Sequence, residues 1–179
     1  TSDTHPIVDH WVNNINPVFT WTQDEGVSGI SYVFDDKPNT IPDNTVESQA
    51  TVVSYEDTKN GAKYFHIKAL KNGVWGAATH FQVNIDAEPP AEFSPDINYI
   101  TAAVINRALV SFFTTDTLSG IDHYEVGVID KSSSAAESPA FFRTESPYQI
   151  PFDTIQHARV IVRAFDRAGN VRDASIDVS

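Results

Sequence analysis

The chain states one pattern twice, and that repeat limits its folding more than any other feature. Phe19-Thr20-Trp21, Asp24, Ser28-Gly29-Ile30 and Tyr32 recur as Ser111-Phe112-Phe113, Asp116, Ser119-Gly120-Ile121 and Tyr124. Trp21 to Tyr32 and Phe113 to Tyr124 are both steps of 11 residues, which sets Trp21 against Phe113. Later segments match as well. Phe65-His66-Ile67-Lys68-Ala69 answers Val160-Ile161-Val162-Arg163-Ala164, and Phe81-Gln82-Val83-Asn84-Ile85 answers Ala174-Ser175-Ile176-Asp177-Val178. A period of roughly 92 residues is one small domain. It predicts a tandem pair, residues 1–88 and residues 89–179.

Each half reads as strands. Short β-branched and aromatic runs lie between clusters of Gly, Pro, Asn and Asp. They fall near 17–22, 29–34, 51–55, 62–70 and 78–85 in the first half. In the second they fall near 97–100, 108–114, 121–130, 140–144, 147–151, 157–166 and 171–178. No window of helical length carries an apolar face at 3.6-residue spacing. Six or seven short antiparallel strands in roughly 90 residues predict an all-β sandwich in each half. Alternation along 63–69 turns Phe65, Ile67 and Ala69 inward, and Tyr64, His66 and Lys68 outward. In the second copy Ala158, Val160, Val162 and Ala164 face in. Arg159 and Arg163 face out, where acids on a neighbouring strand pair with them. Trp21 and Phe113 are expected as a repeated core anchor. The segment from Asp86 to Phe93 contains Pro89-Pro90 and predicts a semi-rigid linker. The small polar run Lys131 to Pro139 predicts a mobile surface loop.

Charge excludes some partners. The net charge is −12, with twelve acids against five lysines in residues 1–88, and twelve against six arginines and one lysine in the rest. Such an even acidic field disfavours nucleic acid, which needs clustered Lys and Arg, and anionic membrane surfaces. It leaves cations open. The chain has no Cys, so it makes neither disulfides nor thiolate metal sites. No apolar run approaches the ~20 residues of a membrane span, and no signal peptide stands at the start. The chain begins at Thr1 and stops at Ser179, the position matching Asp86, so we expect an excerpt of a longer polypeptide.

These residues together resemble fibronectin type III and related immunoglobulin-like repeats of bacterial surface proteins. In the first half the resemblance rests on Thr4-His5-Pro6, Trp11, Pro17 to Trp21, Tyr64 to Ala69, Trp75-Gly76 and Thr79 to Asp86, running on to Pro89-Pro90. In the second half it rests on Thr114-Thr115-Asp116, Leu118 to Val126, Ser146-Pro147-Tyr148 and Val162 to Asn170. The likeness spans nearly the whole chain. It looks especially like paired repeats beside cohesin-like domains and a C-terminal anchor. It implies an extracellular, cell-surface position, a spacer or adhesive role, and no catalytic residues. One departure is that the corner tyrosine of fibronectin type III domains falls at Lys63 and Ala158.

Two kinds of site are candidates. Trp75, in Asn72-Gly73-Val74-Trp75-Gly76, either folds over the end of the core or offers a flat face for a sugar ring. Asp166 and Asn170 lie in a loop where recognition residues gather. Calcium takes six to eight oxygens, and Glu56, Asp57, Asp86, Glu88, Asp116 and Asp166 are the carboxylates placed to supply them at the domain joint. Against this, no spaced calcium-loop motif is present, and Asp and Asn also simply form turns. Nucleophile elbows, metalloprotease helices, phosphate loops and dinucleotide fingerprints are absent. Six histidines are scattered, and none forms a spaced pair with a carboxylate that marks a zinc site. The leading reading is a non-enzymatic structural or adhesive stalk. The alternative is a module that binds carbohydrate or a protein partner through the loops around Trp75 and Asp166–Asn170, and a third reading is an accessory domain of an extracellular enzyme.

Overall fold

The computed structural model describes residues 1–102, 105–131, 138–151 and 157–178. The loop expected over Lys131 to Pro139 falls mostly outside the described residues. Every regular element among the described residues is a strand. No helix is long and apolar enough to cross a membrane. The chain divides into two compact units, Thr1–Glu88 and Pro89–Ser179.

The first unit has seven strands: β1 (Trp11–Val12), β2 (Val18–Thr20), β3 (Val27–Asp35), β4 (Val52–Ser54), β5 (Gly61–Lys71), β6 (Val74–Trp75) and β7 (Thr79–Ile85). Its larger sheet runs β1-β7-β5-β3, with β6 paired to β5. The β1–β7 pairing is parallel, setting Trp11 against Asn84. The second sheet is only β2-β4. These two strands have three residues each, too few to cover the face below them, and bulky rings supply the missing volume. Phe19 of β2 stacks on Phe65 of β5 at 4.3 Å between centroids. Phe34, Tyr55 and Phe81 close around Phe19 at 5.3, 6.1 and 6.1 Å. Aromatic pairs of this kind add about 0.5–1.5 kcal/mol each beyond the area they bury.

The second unit continues with β8 (Asp96–Ala102), β9 (Ile105–Ser111), β10 (Ile121–Asp130), β11 (Phe141–Thr144), β12 (Tyr148–Gln149), β13 (Ala158–Asp166) and β14 (Val171–Val178). They form two sheets, β11-β10-β13-β14 and β12-β9-β8. With more strands to cover it, this core needs fewer rings. It is built from Ala108, Val110, Val126, Ile150, Ala158, Val160, Val162 and Val178 around the buried ring of Phe112, with Phe93, Tyr124 and Tyr148 packed against it. Arg159 and Arg163 lie directly opposite Asp177 and Asp173 on β14 and pair with them at 2.7 and 3.2 Å. Hydrogen bonds from Arg159 and Lys131 hold the exposed Asp177 carboxyl down at about 2.

The repeat is off by one residue at its aromatic anchor. Trp21 packs into the first core, 5.9 Å from Tyr32 and 6.0 Å from Phe65. Phe113 is 75% exposed, whereas Phe112 is 4% exposed and lies 5.0 Å from Tyr124. The partner of Trp21 is therefore Phe112. Inward positions on β9 fall at Ala108 and Val110 and continue at Phe112 and Thr114. A slip of one residue along such an alternation moves a side chain to the opposite face. The two matched glycines differ as well. Gly29 is extended inside β3, where a Cβ would come 2.5 Å from the Val46 side chain. Gly120 has φ 75°, the left-handed region that favours glycine.

The position of the missing corner tyrosine, Ala158, is fully buried as a small core residue. Tyr124 makes a related bond from another strand. Its hydroxyl accepts from the Thr114 N–H at 3.0 Å and donates to the Thr114 carbonyl at 3.3 Å.

Candidate binding site

Trp75 stands on β6, next to a turn made by Asn72 and Gly73 with φ 52° and 79°. It is half-buried, and the Lys68 ammonium sits 5.1 Å above its ring. Lys68 is held there by a 2.6 Å bond to Asn44 Oδ1. A sugar stacking on Trp75 must use the ring face that this cation–π contact leaves over.

The candidate acids of the second unit serve turns. Asp166 ends β13, and its carboxylate accepts from the N–H groups of Ala168 and Asn170 at 2.9 Å each and from Asn170 Nδ2 at 2.8 Å. This network closes the β13–β14 hairpin and uses Asn170 as well. Asp116 accepts from the N–H groups of Leu118 and Gly120 at 3.0 and 2.9 Å. The two carboxylates approach within 4.8 Å of each other. In the first unit, Glu56 and Asp57 are exposed on the β4–β5 loop, and Asp57 has φ 50°. Asp86 directly follows β7, and its N–H donates to the Val12 carbonyl at 3.0 Å. Glu88 is exposed, and its N–H donates to Asp86 Oδ1 at 3.1 Å. Among the described residues of either unit taken alone, no three His or carboxylate side chains each bring one ligand atom within 4.8 Å of the others.

The first unit also contains a groove that the sequence reading did not find. Because β2 and β4 are short, the face of β5 and β7 is only partly covered. The opening is about 450 Å³, with Phe19, Phe65 and Ile67 in its floor and Trp21 and Phe81 beside them. Thr1, Thr20, Thr22 and Thr79 supply a polar rim. Thr1 is fixed by reciprocal backbone bonds with Thr20, both at 2.9 Å. The Trp21 indole N–H has no hydrogen-bond partner among the described residues. An apolar floor with a few polar groups at its rim is the usual make-up of a small-ligand site. Sequence reasoning assigned Trp21 wholly to the core. The available signal was the shortness of the run around 51–55, which left one sheet too narrow to cover the other.

No known family's model matches the chain, and no curated protein matches it. Among solved structures, it is similar to the fibronectin(III)-like modules of Clostridium thermocellum CbhA, at 13% identity and a TM-score of 0.42. That match covers 100% of this chain and 93% of the other. The chicken interferon gamma receptor alpha chain matches at 16% identity and a TM-score of 0.35, covering 99% of this chain and 98% of that one.

Proposed function

We propose that this chain is a non-enzymatic structural module, a semi-rigid stalk lying outside the cell within a larger bacterial surface protein. The observation that carries this reading is the bonding of the connecting segment. On the first unit, Asp86 N–H is bound to Val12 and Ala87 N–H to Asn60 Oδ1 at 3.0 Å each. On the second, the Pro90 carbonyl accepts from Arg172 Nε at 2.9 Å. Ala91 N–H donates to the Thr115 carbonyl at 2.9 Å, and the Ala91 carbonyl accepts from Thr114 Oγ1 at 2.7 Å. Backbone anchored on both sides of two consecutive prolines has few dihedrals free to turn. Small-angle scattering of the whole chain tests this against the double variant Pro89→Gly, Pro90→Gly. The distribution of interatomic distances should broaden in the variant. Identical curves, both fitting freely jointed units, would remove the stalk reading.

The groove favours a second reading, a recognition module. The partly exposed rings of Trp21 and Phe81 and the threonine hydroxyls beside them suit a sugar ring better than a charged ligand. Retention on wall polysaccharides that is saturable and lost in Phe81→Ala would move the assignment from spacer to binder.

A further inference from the structure

The outer face of the larger sheet in the first unit brings together three residues that are far apart in sequence. His66 on β5 lies directly opposite His80 on β7 and Val33 on β3, and Asp35 follows two residues along β3. Thr40 and Asn44, from the segment after β3, bond to Asp35 and Lys68 on this face, and His66 is fully buried, while His80 is exposed. His66 Nε2 lies 3.2 Å from Asp35 Oδ1, and His66 Nδ1 lies 2.6 Å from His80 Nδ1. Asp35 is itself fixed, accepting from the Lys37 N–H at 2.8 Å and from Thr40 Oγ1 at 2.6 Å. The Tyr64 ring lies roughly parallel to His66, with centroids 6.3 Å apart.

This geometry sets the tautomer of His66. An ionised carboxylate only accepts, so the nitrogen facing Asp35 carries the hydrogen. Neutral His66 then directs the lone pair of Nδ1 at Nδ1 of His80. Two lone pairs at that distance repel unless a positive centre lies between them. A hydrogen on His80 Nδ1 is one such centre, and a metal ion is the other. A carboxylate that orients a histidine through its far nitrogen is the usual support of a metal-bound imidazole.

We propose that His66 and His80 form a cross-strand site for a divalent transition-metal ion of the zinc class, with Asp35 as the positioning residue. Imidazole donors select such ions over calcium or magnesium, which prefer oxygen. Two zinc–nitrogen bonds of about 2.0–2.1 Å at a tetrahedral angle place the nitrogens about 3.3 Å apart. A small rotation of the exposed His80 side chain opens the present contact to that distance. Because His80 faces solvent, water fills the remaining coordination positions. The ion would link β5 to β7 and stabilise the first unit by mass action.

Titration of the whole chain with zinc chloride in a non-chelating buffer, read by calorimetry, tests the site. Saturable uptake of one ion per chain is expected, and long-range proton–nitrogen NMR should show the Nδ1 signals of His66 and His80 move together. His80→Ala, an exposed change that leaves the core intact, should abolish the uptake. Asp35→Asn should weaken it about 10-fold. His123 lies 2.6 Å from Asp122 in the second unit, and His123→Ala should leave the uptake unchanged. No saturable uptake at millimolar zinc would reduce the pair to a shared hydrogen bond and overturn the proposal. Uptake that survives in His80→Ala would overturn it too.

Discussion

Adjacent phenylalanines at 112 and 113 are expected to behave as opposites when each is cut to alanine. Phe112 is 4% exposed and sits in the centre of the second core. Its loss combines a transfer cost with a residual cavity, about 3–5 kcal/mol for a buried ring. Phe113 is 75% exposed, so only a quarter of its surface leaves water. For a ring of about 200 Å² that is about 50 Å², or about 1 kcal/mol as an upper bound. With a urea slope of about 2 kcal/mol per molar, Phe112→Ala lowers the midpoint by about 1.5–2.5 M, and Phe113→Ala by no more than about 0.5 M. The chain offers an internal control, because Trp11, Trp21 and Trp75 all lie in the first unit. Tryptophan fluorescence therefore follows that unit, while far-UV circular dichroism reports both. The fluorescence transition should not move in either variant. If the alanine at 112 prevents folding, Phe112→Leu gives a smaller loss in the same direction. Equal midpoints for the 112 and 113 variants, or a larger loss at 113, would refute the inward assignment of Phe112 and restore the repeat register in which Phe113 is the anchor.

Two further outcomes are expected. Tyr124→Phe should destabilise the second unit by about 1–2 kcal/mol, because it leaves the N–H of Thr114, a residue only 6% exposed, without its acceptor; a change under about 0.3 kcal/mol in urea titration would show that the hydroxyl contributes nothing. Burial, with the charge of Tyr32 and Glu47 adding to it, pushes the Tyr55 phenol up to about 12 from an ordinary value of 10.0. Below the ordinary value both states are neutral and the stabilising difference is fully present. As pH rises from about 10 to about 12 the unfolded chain ionises first, so the first unit loses stability in that window. The fluorescence-detected midpoint should fall less steeply there in Tyr55→Phe, and an unchanged slope would refute the assignment.

The all-β class was legible in the sequence because strand alternation is local. Phe65 faces the core and Lys68 the outer face from the order of residues alone. The expected run at 171–178 matches β14, while those at 157–166 and 62–70 differ from β13 and β5 by one residue at the ends. The two-residue strands β1 and β6 were missed, because two residues carry no periodicity and gain their pairing only from a neighbour already in place. The outward basics of β13 paired as their spacing implied.

What only the tertiary structure decided depends on register between strands and on how fully one sheet covers another. Spacing could not choose between Phe112 and Phe113, since one residue more or less in the preceding loop reverses the faces. The groove beside Trp21 exists because β2 and β4 are short, a property of the pair of sheets and of no single segment. Asp35, His66 and His80 are separated by 31 and 14 residues, and they meet because antiparallel pairing of β3, β5 and β7 folds those intervals into neighbouring rungs of one sheet face.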